Sequence, residues 1–412
     1  IHDHDTPPRI THCGCRTSPR LAPPPPHSRP VVGPDRKESE ALNRHLTDSE
    51  QQWLRVRNHL RDHRYQLAVS AARDYPESAA VEVTPLLSTP AWLPDAPIAL
   101  DNIKLKYTPD AVFRGIIGAE PVIQRLLPVR PNGTRYRTYS ETGAALAAPT
   151  IFENRSTYRL LGADLHSAPH MEFGHGSYFD SIDVGDAAAH EFTAASLSEI
   201  TTQDLRTGIG DPCDLVRRPV NVAISTLTLR HNRTTGSVTF PLHHRDGTKV
   251  GHAGGLYQVL PVGVFQPAGE ELWNAENDLS LWRCIVRELA EELRGGTENY
   301  ETNRGPIDYG GWPFADHLTR AFDTAEVRAF CVGIGVDPLT FATDILTVVT
   351  INAPLYDELF GQVADNNTEG SIIPAVPFTA DTAEKYANNE PTQAAGAGLL
   401  RLAWRHRRIL LG

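Results

Sequence analysis

Long apolar runs are missing from this chain of 412 residues. No segment reaches the roughly 18 apolar residues of a membrane-spanning helix, and the N-terminus lacks the apolar core of a signal peptide. Cysteine is scarce: there are five, an odd number, and most are scattered. A disulfide framework is therefore not expected in so long a chain. These absences predict a cytoplasmic protein with reduced thiols and no membrane partner.

Basic residues are outnumbered, since 39 lysines and arginines face 50 aspartates and glutamates, for a net charge of −11. A face that binds nucleic-acid phosphates is normally basic. No helix-turn-helix pattern is visible either, so direct nucleic-acid binding is not expected, although these totals are compatible with a local basic patch. Methionine is nearly absent: Met171 is the only one, and the chain begins at Ile1. We therefore expect that the natural start is missing or altered.

Residues 1–38 form a segment rich in Pro, His and Arg without apolar periodicity, including the run Pro23 to Pro26. This composition predicts a disordered or polyproline tail. The tail contains side chains that could ligate a metal: His2, His4, His12, Cys13 and Cys15. No second cluster completes a zinc pattern, so chance ligands in a tail are the favoured interpretation.

Residues 39–215 are predicted to form a smaller α+β domain of unknown role. A helix is expected at about 47–74, opened by a capping box of Thr47 and Glu50. The segment Ile98 to Leu105 has the pattern of a strand, and residues 186–197 have that of a helix.

Three polar residues of this region are weak site candidates. His190 is followed by Glu191, but Ala194 stands where a zinc protease motif needs its second histidine. A structural role for His190 is therefore favoured. His175 and Asp180 lie in a segment expected to be a Gly-rich turn, and ordinary polar loop residues are favoured there.

From about residue 216 the pattern changes to strands and helices. Val220 to Arg230 and Ser237 to His243 are predicted to form a hairpin, and Leu256 to Gly263 a further strand. Asp278 is expected to cap a helix at about 279–294. A buried strand at 345–351 and a final helix at 393–410 complete the region. We found no internal repeat.

The helix at 279–294 contains three carboxylates at positions i, i+3 and i+4: Glu288, Glu291 and Glu292. On an α-helix these share one face and repel one another by a few tenths of a kcal/mol per pair. A hard divalent cation with oxygen ligands would offset that repulsion. An ordinary solvated acidic face is the alternative that remains open.

The hexapeptide Arg287-Glu288-Leu289-Ala290-Glu291-Glu292 resembles the second half of the Nudix hydrolase box, and residues 216–412 resemble that domain. The resemblance implies an α/β fold: an α/β/α sandwich with a mixed sheet. It also implies Mg²⁺-dependent, or Mn²⁺-dependent, hydrolysis of the pyrophosphate bond in a nucleoside diphosphate linked to another moiety. Glu288, Glu291 and Glu292 would be the metal ligands, with Glu291 and Glu292 also catalytic. Arg287 would orient a carboxylate, and Gly263 would be the glycine before the family's loop.

The chain departs from the family box in its first half. The position of the family glutamate is occupied by Leu279, and that of the family glycine by Trp273. A second glycine is expected at position 294, where Arg294 stands, and Gly295 follows one place later. The loop after Gly263 is longer than usual, and it contains carboxylates that could substitute: Glu270, Glu271 and Glu276. A non-catalytic nucleotide-sensing module of a regulatory protein is therefore the alternative function, and an interaction protein with an acidic helix is a third.

Two further expectations accompany the resemblance. Arg245 and Lys249, after the hairpin, are candidate phosphate contacts, with solvated charges at a strand end as the alternative. The oligomeric state stays open, with a homodimer as the form common in the family. The whole chain also resembles a group of actinobacterial proteins of unassigned role, some labelled transcriptional regulators, in three short segments: 210–212, 244–246 and 265–267.

Overall fold

The computed structural model describes residues 45–149, 152–245, 255–296, 300, 302–361 and 370–412. The tail predicted for residues 1–38 and the candidate Lys249 lie outside these ranges. Residues Leu46–Gly412 form one compact unit. Within the described ranges, no helix combines the length and the apolar character needed to cross a membrane.

A mixed β-sheet is the centre of the described structure, and a three-stranded sheet accompanies it. The order in the larger sheet is β1-β9-β10-β5-β6-β11, with β7 paired to β6 and β8 paired to β5, and the smaller sheet has the order β2-β4-β3. The strands are β1 Ile98–Ala99, β2 Lys104–Tyr107, β3 Ser156–Asp164, β4 His170–Ser177, β5 Val222–His231, β6 Val238–Arg245, β7 Tyr257–Val259, β8 Val262–Val264, β9 Val327–Val336, β10 Thr343–Asn352 and β11 Gly370–Pro377.

Strand β10 lies in the middle of the larger sheet, parallel to β5 and antiparallel to β9. Nearly every residue of β10 is buried, as expected for a strand covered on both faces. Successive side chains point to opposite faces. Ile345 and Val349 therefore belong to one hydrophobic cluster, and Leu346 and Val348 belong to another. The predicted buried strand at 345–351 is confirmed.

Helices cover both faces of this sheet. Ile285 and Leu289 pack in the cluster that contains Ile345, whereas Leu399 packs in the cluster that contains Leu346. The α-helices are α1 Asp48–Asp62, α2 Arg64–Ala72, α3 Pro121–Gln124, α4 Tyr139–Leu146, α5 Tyr178–Ser181, α6 Ala187–Ser196, α7 Asp204–Ile209, α8 Leu272–Asn277, α9 Leu281–Glu288, α10 Pro313–Arg320, α11 Ala353–Phe360, α12 Ala380–Glu384, α13 Ala394–Arg405 and α14 Arg407–Leu411. The predicted mixed α/β class with a mixed sheet is confirmed.

The two halves of the chain share packing. Strand β1 pairs with β9 of the larger sheet. Trp53 and Phe173 lie in the same hydrophobic cluster as Phe265. The start of β3 is also held to the C-terminal half, because the Ser156 amide donates to Glu270 at 2.9 Å. The domain boundary that the sequence predicts at residue 215 stays a prediction.

Several local expectations need correction. The strand predicted at 256–263 is two strands, because the proline of the cis peptide bond Leu260–Pro261 lacks the N–H that a continuous ladder needs. The helix predicted at 47–74 ends at Asp62 and restarts at Arg64, although its capping box at Thr47 is confirmed.

Two more elements differ from their predicted form. The segment 98–105 contains β1 and the start of β2, separated by a short helical turn. His175 lies within β4, and Asp180 lies in α5, where it accepts hydrogen bonds from Arg159 and from the Ser177 amide. The Gly-rich turn expected there is therefore wrong. Its glycines, Gly174 and Gly176, belong to a paired strand.

Candidate active site

Helix α9 begins at Leu281 and, with the turn that continues it, carries Arg287 and the three glutamates singled out from the sequence. Its N-cap is Ser280, whose Oγ accepts a hydrogen bond from the Arg283 amide at 3.3 Å. The prediction that Asp278 caps this helix is wrong, because the Asp278 side chain points into the interior. There it accepts hydrogen bonds from the Ala268 amide at 2.8 Å and from the Tyr309 hydroxyl at 2.9 Å.

Arg287 lies in the same buried network as Asp278. Its Nη1 donates to the Tyr309 hydroxyl at 2.7 Å and lies 3.7 Å from Asp278 Oδ1. Its Nη2 donates to the Gln266 carbonyl at 2.7 Å. The two charged side chains are 4% and 0% exposed, so each depends on the other for compensation. The network fixes α9 against the loop that follows β8.

The three glutamates take three different environments. Glu288 packs against the backbone of Gly263, where a Cβ would overlap its carboxylate. Glu291 Oε1 accepts a hydrogen bond from the Tyr300 hydroxyl at 2.6 Å. Glu292 Oε1 accepts one from the Val262 amide at 2.9 Å. Burial, together with the bond to Glu291, raises the pKa of Tyr300, which therefore remains a donor at neutral pH.

A wider helical turn accounts for this divergence. Helix α9 is an α-helix only as far as Glu288, and Leu289–Leu293 continue it as one π-helical turn. In such a turn the hydrogen bonds span five residues instead of four, so positions i and i+4 no longer lie directly above one another. The regular α-helical period expected here is therefore wrong from Leu289 onward, although Glu288 and Glu291 still line one cleft.

Glu288 and Glu291 line a cleft of about 280 Å³. One side of the cleft is the loop after β8, and another is a short segment that precedes β3, which we call the 153–155 wall. The lining residues are Glu153, Asn154, Arg155, Gln266, Pro267, Ala268, Gly269, Glu270, Arg287, Glu288, Glu291 and Tyr300. Glu292 is not among them.

The wall formed by residues 153–155 is fixed by hydrogen bonds. The Ser156 amide and hydroxyl donate to the two carboxylate oxygens of Glu270 at 2.9 and 2.6 Å. Asn154 Oδ1 accepts from the Ser177 hydroxyl at 2.6 Å and from the Phe179 amide at 2.8 Å. The N-terminal half of the chain therefore provides one side of the cleft.

The three loop carboxylates that could substitute for the missing family glutamate lie in different places in the structure. Glu270 lines the cleft, whereas Glu271 accepts a hydrogen bond from Asn274 at 3.1 Å and Glu276 lies in α8. In the part of the chain that the structure describes, no three His, Cys, Asp or Glu side chains are grouped to hold a metal ion. The cleft therefore brings together carboxylates without forming a closed metal cage.

The remaining candidates lie elsewhere. Arg245 ends β6 and does not line the cleft. His190 is buried and stacks on Trp53 with ring centroids 5.3 Å apart. Burial and the nearby Arg57 lower the pKa of His190 to about 3, so its ring is neutral at physiological pH. This environment fits the structural role favoured for His190.

Sequence reasoning missed four participants: Asp278, Tyr300, Tyr309 and the 153–155 wall. A signal existed for Asp278, which lies one place before Leu279, where the family glutamate is expected. Comparison with protein-family models and with curated proteins finds no match to this chain.

Proposed function

We propose that the cleft binds a nucleoside diphosphate linked to another moiety and, together with Mg²⁺, hydrolyses its pyrophosphate bond. The observation that carries this proposal is the position of Glu288 and Glu291 in one cleft, beside the buried Arg287. The hexapeptide containing these residues is also the one that resembles the Nudix box.

The charge of the cleft supports a phosphate ligand only if a cation accompanies it. The described lining residues include four carboxylates, those of Glu153, Glu270, Glu288 and Glu291. A diphosphate entering alone would be repelled by them. Mg²⁺ typically binds through one or two protein carboxylates together with substrate phosphates and waters, not through a complete protein cage. Glu288 and Glu291 fit that mode, in which the ion arrives with the diphosphate.

In the proposed reaction, a water oxygen bonds to phosphorus and the bridging P–O bond breaks, giving two phosphorylated products. Bound Mg²⁺ would supply neutralisation of phosphate charge and a more acidic water. Glu291 is the carboxylate that we assign as proton acceptor, because the Tyr300 hydroxyl fixes its orientation from 2.6 Å. Arg287 acts by position, since its bonds to Tyr309 and Gln266 hold α9 against the loop after β8.

A nucleotide-sensing module without catalysis is the second candidate. It is favoured by the environment of Glu292, which lies against the Val262 amide instead of in the cleft. Because the described residues contain no group of three metal-ligating side chains, the geometry is also compatible with a ligand that binds with its cation and is not cleaved.

An assay of the full chain separates the two functions. The protein is incubated with Mg²⁺ and ADP-ribose, NADH, dinucleoside polyphosphates or 8-oxo-dGTP, while nucleotide release is followed. We expect turnover of at least one compound, lost in Glu291→Gln. The matched control is Glu358→Gln, an exposed position on α11 that does not line the cleft.

Each outcome supports or contradicts one of the two functions, or both. Turnover that survives Glu291→Gln would contradict the catalytic assignment. Mg²⁺-dependent binding without turnover would support the sensor. Neither binding nor turnover with any compound would overturn both functions.

A further inference from the structure

The arginine side chains of Arg155 and Arg287 both line the cleft, and they differ in their environments. Arg287 is 4% exposed and is bound to Tyr309, to the Gln266 carbonyl and near Asp278. The Arg155 side chain is 39% exposed and belongs to the 153–155 wall. Because Arg287 is enclosed by protein groups, Arg155 is the more accessible of these two cations.

The backbone at Arg155 is well fixed although its side chain is accessible. The Arg155 carbonyl accepts a hydrogen bond from the Tyr178 amide at 2.8 Å. The preceding residue, Asn154, accepts a hydrogen bond from the Ser177 hydroxyl through its Oδ1, and the following residue, Ser156, donates its amide to Glu270. A guanidinium that starts from a fixed backbone loses less freedom when it binds a ligand.

Glu153 is one of the groups that contact Arg155, and this contact is one that a ligand can replace. Arg155 Nε donates to Glu153 Oε2 at 3.2 Å, and the Glu153 side chain is 66% exposed. Exposed pairs of this kind contribute little stability, because water screens the two charges. A phosphate offers a guanidinium two oxygens in a matching geometry, which makes a stronger charge-assisted contact.

We propose that Arg155, supplied by the N-terminal half of the chain, binds the phosphates of the diphosphate in the cleft that Glu288 and Glu291 also line. The inference rests on the proposed function, since it assumes a diphosphate ligand. It gives the 153–155 wall a role in selecting ligands: a compound must present phosphate oxygens to both sides of the cleft. Glu153 then acts as a competitor that the ligand displaces.

The test is isothermal titration calorimetry of the full chain with ADP in the presence of Mg²⁺. Arg155→Gln is expected to weaken binding by roughly tenfold to a hundredfold, the range for a lost charge-assisted contact. The control is Arg125→Gln, another arginine paired with a carboxylate, Asp204, at 3.3 Å, but outside the cleft. Its affinity for ADP is expected to equal that of the unchanged protein.

A second variant keeps the test independent of folding. Glu153→Gln removes the competing carboxylate, so it is expected to strengthen ADP binding by up to about fivefold. A damaged protein would not gain affinity.

The failures can be told apart. If the unchanged protein binds ADP and Arg155→Gln binds it equally well, the role of Arg155 is overturned while the diphosphate site stands. If the unchanged protein does not bind ADP but binds another compound of the panel, the same comparison is made with that compound. If it binds neither ADP nor any compound of the panel, the proposed function is overturned, and the role of Arg155 with it.

Discussion

The carboxylate of Glu288 occupies the space that a Cβ on residue 263 would fill, so Gly263 and Glu288 are in direct contact. The contact joins β8 to the end of α9. It sets how far the Glu288 carboxylate can retreat from the cleft. A glycine is required here by close approach and not by an unusual backbone conformation.

Gly263→Ala is therefore expected to displace Glu288. The added methyl group overlaps the carboxylate, which must rotate away, and a shift of about 1 Å in a reacting group can cost roughly a hundredfold in rate. Turnover of the panel compound found to be a substrate measures the effect. Gly162→Ala is the control, because a Cβ there meets nothing within 4 Å. Equal rates in the two variants would show that the position of Glu288 does not matter.

Asp278→Ala is expected to destabilise the protein strongly. Arg287 would remain buried without its carboxylate, and breaking such a pair from one side typically costs about 3–5 kcal/mol. Urea unfolding gives the free energy of unfolding. The comparison is Asp316→Ala, which removes the exposed pair Asp316–Arg320, joined at 2.8 Å, and should cost at most about 0.5 kcal/mol. A similar loss in both variants would refute the importance of burial.

Asp344 gives a pH-dependent contribution to stability. It is buried on β10 and accepts a hydrogen bond from the Ser225 hydroxyl at 2.8 Å. Burial, aided by Asp337 and opposed by that hydrogen bond, raises the pKa of Asp344 to about 6. Well below pH 4, at about pH 3, the group is mostly protonated in both states. As the pH rises towards 6 the unfolded chain loses this proton first, so the contribution to the free energy of unfolding falls by up to about 3 kcal/mol.

Asp344→Asn should remove this dependence. An asparagine stays neutral and can still accept from Ser225, so the variant is expected to melt at a higher temperature than the unchanged protein at pH 7.5. Near pH 3 the two melting temperatures should converge. Thermal unfolding followed by circular dichroism at both pH values provides the measurement. A difference that is constant with pH would mean that Asp344 does not titrate in this range.

The parts of the fold that follow from local pattern were predictable. The hairpin of β5 and β6 and the buried strand β10 agree with their alternating or continuous apolar residues. The π-helical turn at 289–293 was not predictable, because the sequence there has the pattern of an ordinary α-helix. The contact between Ser156 and Glu270 joins residues 114 positions apart, so no local pattern could reveal the wall of the cleft. The helical side of the cleft, with Arg287, Glu288 and Glu291, was therefore visible in the sequence, whereas the 153–155 wall was not.

Glu292 offers the sharpest test of how the glutamates divide their roles. If it anchors β8 through the Val262 amide, Glu292→Gln should keep turnover within about threefold, because the amide oxygen of glutamine can accept the same hydrogen bond at similar strength. Glu292→Ala would leave that amide without this partner and should lower the free energy of unfolding by about 1–3 kcal/mol. Glu291→Gln, by contrast, loses the charge in the cleft. A loss of turnover in Glu292→Gln as large as in Glu291→Gln, with unchanged stability, would instead place Glu292 among the groups that act on the ligand.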